Sequence, residues 1–367
     1  MEVLVIAPGH PGIPSRESRR GVKVLRVQYF WPASLQKLAY GWGIPWNLRG
    51  SLLAWVNLPF FLLLFGLAIC RHARRADVVH AHWGVLGALA TLTRLVHRRP
   101  VVVTLHEISW RRQLAPVVWL TLWAVRHADA VTTPSQEFAG EFRALRVGLY
   151  PCQWVPNGVG RPSAAEQRDT DRMRDHECGT FQIVTVGRLI PERKHDVLLR
   201  ALAHVRRQFP SAKLTVVGDG PQRQALKSLA QELGLSEAVE FTGRVPVEEV
   251  SSYLGSADLY VSPTMAESFG LALVEAAAHG LPIIATPVGM APVLILEGQT
   301  GRIIPAGDEH SLAEAIIGVI GNPIFRREAA LLMPKRVEEL GFTWPRCAER
   351  TAGIYRDLLV RRGNGRL

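Results

Sequence analysis

The sequence contains few cysteines, and they lie far apart. Only four occur in 367 residues, Cys70, Cys152, Cys178 and Cys347, and none forms a Cys-x-x-Cys pair or a Cys/His spacing suited to zinc. We therefore expect neither a disulfide framework nor a structural metal, and the cysteine usage is typical of a reducing cytoplasm. Residues 1–8 lack the basic segment and long apolar run of a signal peptide and predict a strand.

Acidic residues are scarce relative to basic ones. The chain holds 32 Asp and Glu against 43 Lys and Arg, which gives a net charge of +11 and a pI near 10.0. This excess favours an anionic partner: nucleic acid, a phosphorylated substrate or an anionic membrane surface. No base-stacking or groove-reading motif accompanies the charge, so we expect no nucleic-acid partner.

One long apolar run stands out from the rest of the chain. Hydrophobic residues make up 48% of the sequence and charged residues 20%, which excludes a mainly disordered protein. Residues 52–70 are uncharged and long enough to span a bilayer. Asn57, Pro59 and Gly66 interrupt this run, and residues 77–80 after it are typical of a buried strand. We therefore expect a buried or membrane-dipping helix, with a true span as the alternative.

The second half of the chain alternates short apolar runs with helical patterns, which predicts a parallel sheet covered on both faces. The predicted strands are 181–186, 213–217, 239–242, 258–262 and 282–286, and the predicted helices are 194–208, 221–233, 247–254 and 269–279. The first half repeats the theme less regularly. Its predicted strands are 3–7, 22–27, 76–81, 100–105, 128–132 and 153–155.

A polar stretch at 161–179 is interpreted as a linker between two doubly wound domains. Two such domains that face each other bring the carboxyl ends of their strands, where ligands bind, to a shared cleft. The predicted domains are 1–165, an acceptor-side domain, and 166–342, a donor-binding domain. Residues 343–367 are predicted to form a helix that crosses back onto the first domain.

Two loops carry the residues best suited to bind a ligand. In the first, Gly187 ends a predicted strand, and Arg188 and Lys194 are six positions apart, a spacing that can bracket a diphosphate. In the alternative interpretation, Arg188 and Lys194 are solvated basic residues at the start of a helix and bind no ligand. In the second, Glu267 precedes a helix that carries Glu275 in an apolar setting, where an unpaired carboxylate is costly. The free N–H groups between these carboxylates favour phosphate.

Together these motifs resemble the retaining glycosyltransferases of family 4, which have the GT-B fold. The resemblance covers almost the whole chain. The matching segments are DVVHAHWG (77–84), VVVTLHE (101–107), VPNGV (155–159), GRLIPERK (187–194), VVGDGP (216–221), FTGRV (241–245), ADLYVSPTMAESFGLALVEAAAHGLPIIAT (257–286) and TGRIIPAGD (300–308).

The resemblance implies a hexosyltransferase that takes a sugar from a nucleotide diphosphate sugar. Arg188 and Lys194 would neutralise the pyrophosphate without a metal or other cofactor, Glu267 would bind sugar hydroxyls, and Glu275 would bind the ribose. Transfer would occur on the front face with retention, and the carboxylate pair would not act as a glycosidase dyad. The donor-binding residues that the resemblance implies are Gly187, Arg188, Lys194, Arg244, Val245, Glu267, Ser268, Phe269, Gly270, Leu271 and Glu275.

A histidine of the first domain completes the predicted catalytic set. His106 matches the cleft histidine that lies beside the transferred sugar in the family, and it joins Arg188, Lys194 and Glu267 as a catalytic residue. In the alternative, His106 is a histidine at the end of a strand that makes its hydrogen bonds within the protein and has no part in catalysis. His82 and Trp83, on the neighbouring loop, either line the acceptor side or pack in the core.

The sequence departs from the family in two places. Residues 3–7 run without a helix into 21–25, as a second strand would run into a third, so we expect the first strand and glycine loop of the first domain to be missing. In the alternative, the segment PGHPG (8–12) is itself that loop. Val293 stands where many members carry an acidic residue, which puts the contacts of that loop in doubt.

Three functions are compatible with these observations. The leading one is transfer of a sugar to a hydroxyl of a glycan or lipid-linked acceptor, in cell-surface polysaccharide or glycolipid biosynthesis. The others are a non-catalytic nucleotide-sugar-binding descendant and a sugar-nucleotide epimerase. We expect a cytoplasmic protein, peripheral at the inner membrane face, where Arg26, residues 29–31, Trp42, Trp46 and Arg49 would form a basic-aromatic surface. In the alternative, these aromatic residues form the core of the first domain and the charge is a solvated surface.

Overall fold

The fold is built on three sheets, two in the first half of the chain and one in the second. A computed structural model describes residues 1–40, 44–106, 115–144, 148, 150–163 and 179–364. The predicted domain boundary at 165–166 lies outside these residues, as does most of the predicted linker. We therefore describe the sheets on either side of that boundary.

The sheet of the second half is entirely parallel. Its strands are β8 (Gln182–Val186), β9 (Lys213–Val217), β10 (Val239–Gly243), β11 (Leu259–Ser262), β12 (Ile283–Ala285) and β13 (Gly301–Ile303). Within residues 179–364 they are ordered β10-β9-β8-β11-β12-β13. Apolar clusters cover both faces, one around Ile183 and Leu214 and the other around Val184 and Tyr260. Alternate residues of β8 thus point into opposite cores, as the period of a strand requires.

Helices follow these strands in the predicted order. They are α7 (His195–Gln208), α8 (Arg223–Glu232), α9 (Val247–Gly255), α10 (Leu271–Ala278), α11 (Ala291–Leu294), α12 (Glu309–Ile320), α13 (Pro323–Glu339) and α14 (Trp344–Asn364). The first four agree with the predicted helices to within about two residues, the usual scatter of helix ends. The parallel α/β fold class predicted from the sequence is therefore confirmed in this half.

The first half holds a parallel sheet and a smaller mixed one. Its strands are β1 (Leu4–Pro8), β2 (Arg16–Arg19), β3 (Val22–Val27), β4 (Val79–His82), β5 (Val101–Thr104), β6 (Ala130–Thr133) and β7 (Gln153–Trp154). The described strands are ordered β4-β5-β6-β7 in one sheet and β1-β3-β2 in the other. The helices are α1 (Ile44–Gly50), α2 (Leu52–Ala73), α3 (Gly84–Leu92), α4 (Arg94–His97), α5 (Ala115–His127) and α6 (Gln136–Ala144).

Strand β2 was not predicted from the sequence. It pairs antiparallel with β3 through a tight turn in which Arg20 and Gly21 both have positive φ. Its sequence, RESR, is polar because it is an edge strand, and hydrophobic alternation does not detect such strands.

The two sheets of the first half meet under helix α2. Among the described residues no ladder joins β1 to β4, and β1 pairs with β3 alone. The segment PGHPG therefore does not follow a central strand, contrary to the alternative considered for it. Phe61 and Phe65 of α2 pack in one cluster with Ile6 of β1 and Val79 of β4, so α2 bridges the junction.

The predicted basic-aromatic surface is not assembled as expected. Tyr29 is fully buried because it packs edge-on against Phe61 of α2. Arg26 is turned inward and pairs with Glu17 at 2.8 Å. Of the run 29–31, Trp31 alone is largely exposed. Trp42 and the side chain of Trp46 lie outside the described part of the chain.

A close backbone contact joins the two halves. Val159 forms a parallel bridge with Thr343, and the Val159 N–H donates to the Phe342 carbonyl at 3.0 Å. A Cβ on Gly158 would lie 2.3 Å from the backbone nitrogen of Trp344, so a larger residue does not fit. Beyond this contact, α14 packs Ile354 and Leu358 on the β4–β7 sheet.

We predict that Gly158→Ala destabilises the protein by about 1–3 kcal/mol, because the added methyl group must displace backbone. Gly160→Ala is the matched control, since a Cβ there meets nothing within 4 Å. Urea denaturation of both variants provides the measurement. Equal stability of the two variants would contradict the assigned contact.

Candidate active site

A cavity of about 360 Å³ lies at the carboxyl ends of strands from both halves. His106, after β5, and Asn157, after β7, contribute from the first half. The remaining wall comes from the loops after β8, β11 and β12. This is the position at which doubly wound sheets bind ligands. The residues that line the cavity are His106, Asn157, Val186, Gly187, Arg188, Arg193, Tyr260, Ser262, Thr264, Glu267, Ser268, Phe269, Gly270, Leu271, Ala272, Leu273, Ala285, Thr286 and Val288.

Helix α10 directs its N-terminus at this cavity. Gly270 precedes it with φ of +86°, a left-handed conformation that glycine adopts without strain. The first-turn residues Leu271 and Leu273 line the cavity, and the N–H groups of a first turn have no intrahelical acceptor. These donors, together with the positive end of the helix dipole, form a site for an anion.

The cation beside this helix end is Arg193, which the sequence analysis did not select. Arg193 lines the cavity and forms an ion pair with Glu267. Their side chains are only 23% and 17% exposed. The Ser268 N–H also donates to the Glu267 carboxylate, at 3.0 Å. Glu267 thus holds Arg193 in position before any ligand binds.

Lys194 is placed differently from the expectation. It has φ of +52° at the start of α7 and is not among the residues that line the cavity. A short 3₁₀ turn at Pro191–Arg193 shifts the chain, and the Glu192 carbonyl accepts from the Met265 N–H at 2.8 Å. That bond ties the turn to the loop before Glu267. The left-handed conformation of Lys194 is a property of the backbone that its residue type does not predict, so no signal in the sequence separates Arg193 from Lys194.

The eleven predicted donor-binding residues, Lys194 among them, divide into two groups. Seven of them line the cavity: Gly187, Arg188, Glu267, Ser268, Phe269, Gly270 and Leu271. Lys194, Arg244, Val245 and Glu275 do not. Arg244 and Val245 follow the end of β10, which is separated from β11 by β9 and β8, and Glu275 lies in the second turn of α10. Val293 is likewise outside the lining, and its carbonyl accepts from Arg336 at 2.9 Å.

His106 is held by a row of stacked histidines. Its Nε2 shares a hydrogen bond of 2.9 Å with Nδ1 of His82, and the two rings stack. His82 stacks in turn on His80, which is bound to Thr104 at 2.6 Å and to the Tyr355 hydroxyl of α14 at 2.5 Å. His82 therefore supports His106 and lines a smaller cavity of about 60 Å³ behind it. Trp83 lines neither cavity.

Burial keeps this histidine row uncharged. Burial, and after it the charge of His82, lowers the pKa of His106 to about 4. Burial also lowers the pKa of His80 to about 3 and that of His82 below its ordinary value. Near neutral pH His106 thus offers the cavity a neutral ring that can donate or accept a hydrogen bond with a hydroxyl.

A further cluster in the described residues has metal-ligand chemistry but lies elsewhere. The ligand atoms of His204, Glu309 and His310 lie within 4.8 Å of one another where α7 packs on α12. None of these residues lines the cavity, and the Arg200 cation lies 3.9 Å from the Glu309 carboxylate. We assign it no part in the site.

Comparison with known proteins identifies the family. A model described as glycosyl transferases group 1 matches residues 168–331, and one described as a glycosyl transferase 4-like domain matches residues 1–158. A GDP-mannose-dependent alpha-(1-6)-phosphatidylinositol monomannoside mannosyltransferase of Mycolicibacterium smegmatis is 31% identical, over 70% of this chain and 70% of its own length. The chain belongs to the group 1 glycosyltransferases.

A second relative agrees with this assignment, and two solved structures share the fold. A D-inositol 3-phosphate glycosyltransferase of Nocardia farcinica is 30% identical, over 80% of this chain and 70% of its own length. Sucrose-phosphate synthase of Thermosynechococcus elongatus superposes with a TM-score of 0.77 at 22% identity, over 98% of this chain and 90% of that one. The HepE protein of Anabaena, solved with UDP, gives 0.68 at 20% identity, over 80% and 82%.

The predicted GT-B fold and the predicted hexosyltransferase class are thereby confirmed. Of the three functions considered from the sequence, the transferase is the one that family membership supports. Arg193, Asn157 and the hydroxyl residues Ser262, Thr264 and Thr286 also line the cavity, and the sequence analysis did not select them.

We predict that Glu275 lowers the free energy of unfolding of the enzyme by an amount that depends on pH. Burial raises the pKa of this carboxyl above its ordinary 4.5. The folded state therefore keeps a proton that the unfolded state loses, and stability falls as the pH rises above about 4.5. Glu275→Gln should be more stable than the wild type at pH 7 and equal to it at pH 4 in urea denaturation. Glu248→Gln, at an exposed glutamate, is the control; a stability difference that does not change with pH would contradict the prediction.

We also predict that His82→Phe raises the pKa of His106, while burial keeps it below 6.5. Phenylalanine preserves the stacking surface but removes the shared hydrogen bond and the charge that His82 carries when it is protonated at low pH. NMR titration of the imidazole C–H signals measures this shift, with exposed His127 as a reference in the same spectra. An unchanged His106 titration would show that His82 does not act on it.

Proposed function

We propose that this glycosyltransferase transfers a sugar from a nucleoside diphosphate sugar to a hydroxyl of a glycan or lipid-linked acceptor, with retention of configuration and without a metal. The pathway class is the biosynthesis of cell-surface polysaccharide or glycolipid. One observation carries the proposal: Arg188, Arg193 and the N-terminus of α10 converge on one cavity. Two cations and a ring of N–H donors match a diphosphate better than any neutral ligand.

Similar proteins support the donor class. The Mycolicibacterium smegmatis relative is named as GDP-mannose-dependent, and structures of HepE contain UDP and UDP-glucose. The feature common to these ligands is a nucleoside diphosphate. We extend that common feature to this enzyme and leave the base and the sugar to experiment.

The arrangement of the cavity supports a reaction without a separate protein base. The carboxylate among the described lining residues, that of Glu267, is already paired with Arg193. In the proposed step the bond between the anomeric carbon and the phosphate oxygen breaks and a bond to the acceptor oxygen forms on the same face. The acceptor proton passes to the departing phosphate. Arg188 and Arg193 stabilise the charge on that phosphate, the role that a metal fills elsewhere.

The neutral His106 fits the sugar side of this proposal. It faces the loop of Glu267 and Gly270 across the cavity, so a sugar attached to the diphosphate would lie between them. A neutral imidazole accepts or donates one hydrogen bond to a hydroxyl without adding charge near the developing oxocarbenium ion. We propose a cytoplasmic enzyme, peripheral at the inner membrane face, which agrees with the few cysteines and the basic charge.

We predict that one nucleotide series stabilises the purified enzyme in thermal-shift assays against UDP, GDP, ADP and their sugar derivatives. Arg193→Ala should weaken nucleoside diphosphate binding about ten- to hundredfold, the loss expected for a charge-assisted hydrogen bond. Lys194→Ala is the matched control, one residue further along and outside the cavity lining. Its affinity should change by less than about threefold.

Two outcomes would contradict this assignment. If no nucleotide stabilises the folded wild type, the donor premise fails. If Lys194→Ala loses binding and Arg193→Ala retains it, Lys194 contacts the diphosphate as predicted from the sequence, and the role proposed for Arg193 is wrong.

A further inference from the structure

The outer side of helix α2 is an apolar surface that no described residue covers. Its exposed residues recur every three or four positions, so they form one stripe along the helix. The stripe runs from Leu52 to Leu67, about 22 Å at the rise of an α-helix, along a helix of 22 residues. The outward face of α2, as we define it, consists of Leu52, Trp55, Val56, Phe60, Leu63 and Leu67.

We infer that this outward face docks the enzyme on an anionic lipid bilayer, with α2 lying in the plane of the membrane surface. The inference deepens the proposed function and rests on it, because it assigns a surface to the expected membrane partner. An apolar helix face of this size is unusual on a protein in water, where large exposed patches mark interaction sites.

The inner side of α2 argues against a span. Phe61, Phe65 and Ile69 are buried against the β1–β3–β2 sheet and Tyr29. The Asn57 side chain is buried, and its carbonyl oxygen accepts from the Lys37 N–H at 2.9 Å. A helix crossing a bilayer would have to leave these partners, and it would carry the Asn57 amide into hydrocarbon. Only one side is free for lipid.

Neighbouring elements extend the apolar surface. Helix α4 packs against α2, and α3 contacts it through Leu89, which lies close to Gly66. Leu92 follows on α3 and is 53% exposed, and Leu95 on α4 is 88% exposed. The uncovered apolar region is therefore wider than one helix. A bilayer, which is a planar surface, needs such a wide region, whereas a peptide binds in a narrow groove.

The charge around this surface selects an anionic partner. Between Glu17 and Glu107 the sequence holds twelve arginines and lysines and a single acidic residue, Asp77. Lys23, Arg26 and Arg94 already form ion pairs with acidic residues of the first half, so the charge available to a partner comes from the other cations. Arg71, Arg74 and Arg75 are exposed at the carboxyl-terminal end of α2, where the stripe of apolar residues ends. Basic side chains beside an apolar helix face match anionic head groups above a hydrocarbon layer.

The same charge disfavours a second copy of this chain as the occupant. A symmetric pair would cover the apolar face, but it would leave the arginines at the end of α2 without anionic partners. A bilayer with anionic lipids satisfies the apolar face and the arginines together.

The docking surface is connected to the cavity through α3. This helix begins at Gly84, two residues after His82 beneath the cavity wall, and continues to Leu92 at the exposed surface. An enzyme held by α2 and α4 would therefore have its first domain, the predicted acceptor side, against the membrane. A lipid-linked acceptor would reach the cavity from that side.

Vesicle flotation of the full-length enzyme tests the inference. The wild type should float with vesicles of phosphatidylcholine containing about 30% phosphatidylglycerol, and less with phosphatidylcholine alone or at high salt. Leu63→Glu/Leu67→Glu should weaken binding at least about tenfold, since two charges would enter the apolar layer. Replacing Arg71, Arg74 and Arg75 by Gln should weaken binding to the anionic vesicles about fivefold per residue.

The matched control is Ile324→Glu/Leu331→Glu on α13. These side chains are 66% and 68% exposed, as far as those of Leu63 and Leu67, but they lie on the other domain. This control should float like the wild type. The inference is overturned if the wild type stays in the aqueous fraction, if Leu63→Glu/Leu67→Glu floats unchanged, or if the control loses as much binding.

Two further measurements separate the outcomes. Alkaline carbonate should extract the wild type from cell membranes, whereas retention would indicate a span and overturn the in-plane arrangement. Thermal shifts with nucleotides on the same preparations test the donor site independently. Nucleotide binding without flotation would refute the docking surface and the peripheral membrane location, and leave the proposed sugar transfer standing.

Discussion

The arrangement of this glycosyltransferase depends on the contact between Gly158 and the backbone of Trp344. There the chain leaving the first sheet meets the chain returning from the second. Phe342, fully buried beside this contact, packs on Phe269 of the cavity and on Trp154 of β7. Asn157 precedes Gly158 and lines both cavities. The contact that fixes the two halves relative to each other therefore also fixes part of the cavity wall.

The cavity has a positively charged side and an uncharged side. The Arg193–Glu267 pair and the N-terminus of α10 supply a positive field on the side of the second sheet, and burial with histidine stacking keeps His106 neutral on the other. A half-buried ion pair adds little to stability once its desolvation is counted. Here the ion pair orients Arg193, so the ligand meets hydrogen-bond donors that are already in place. The excess positive charge of the first half lies outside the cavity, around α2.

The second half was the more predictable. Parallel strands buried on both faces, such as β8 and β9, are continuous apolar runs, and helix patterns between them leave little choice of topology. The first half was harder, because β2 is a polar edge strand and α2 is apolar on every side. The composition of α2 predicts that the helix avoids water, but it does not show which side of the helix packs against the rest of the protein.

The sequence by itself determined the parallel α/β class, the family, and the loops of Gly187 and Glu267, because these follow from local periodicity and motif spacing. The tertiary structure decided which side chains meet. A 3₁₀ turn and the bond between Glu192 and Met265 bring Arg193, and not Lys194, to Glu267. The row from Tyr355 to His106 joins residues 249 positions apart in the chain, counted from 106 to 355. Contacts of that range arise only when the sheets and α14 have packed, so no local pattern records them.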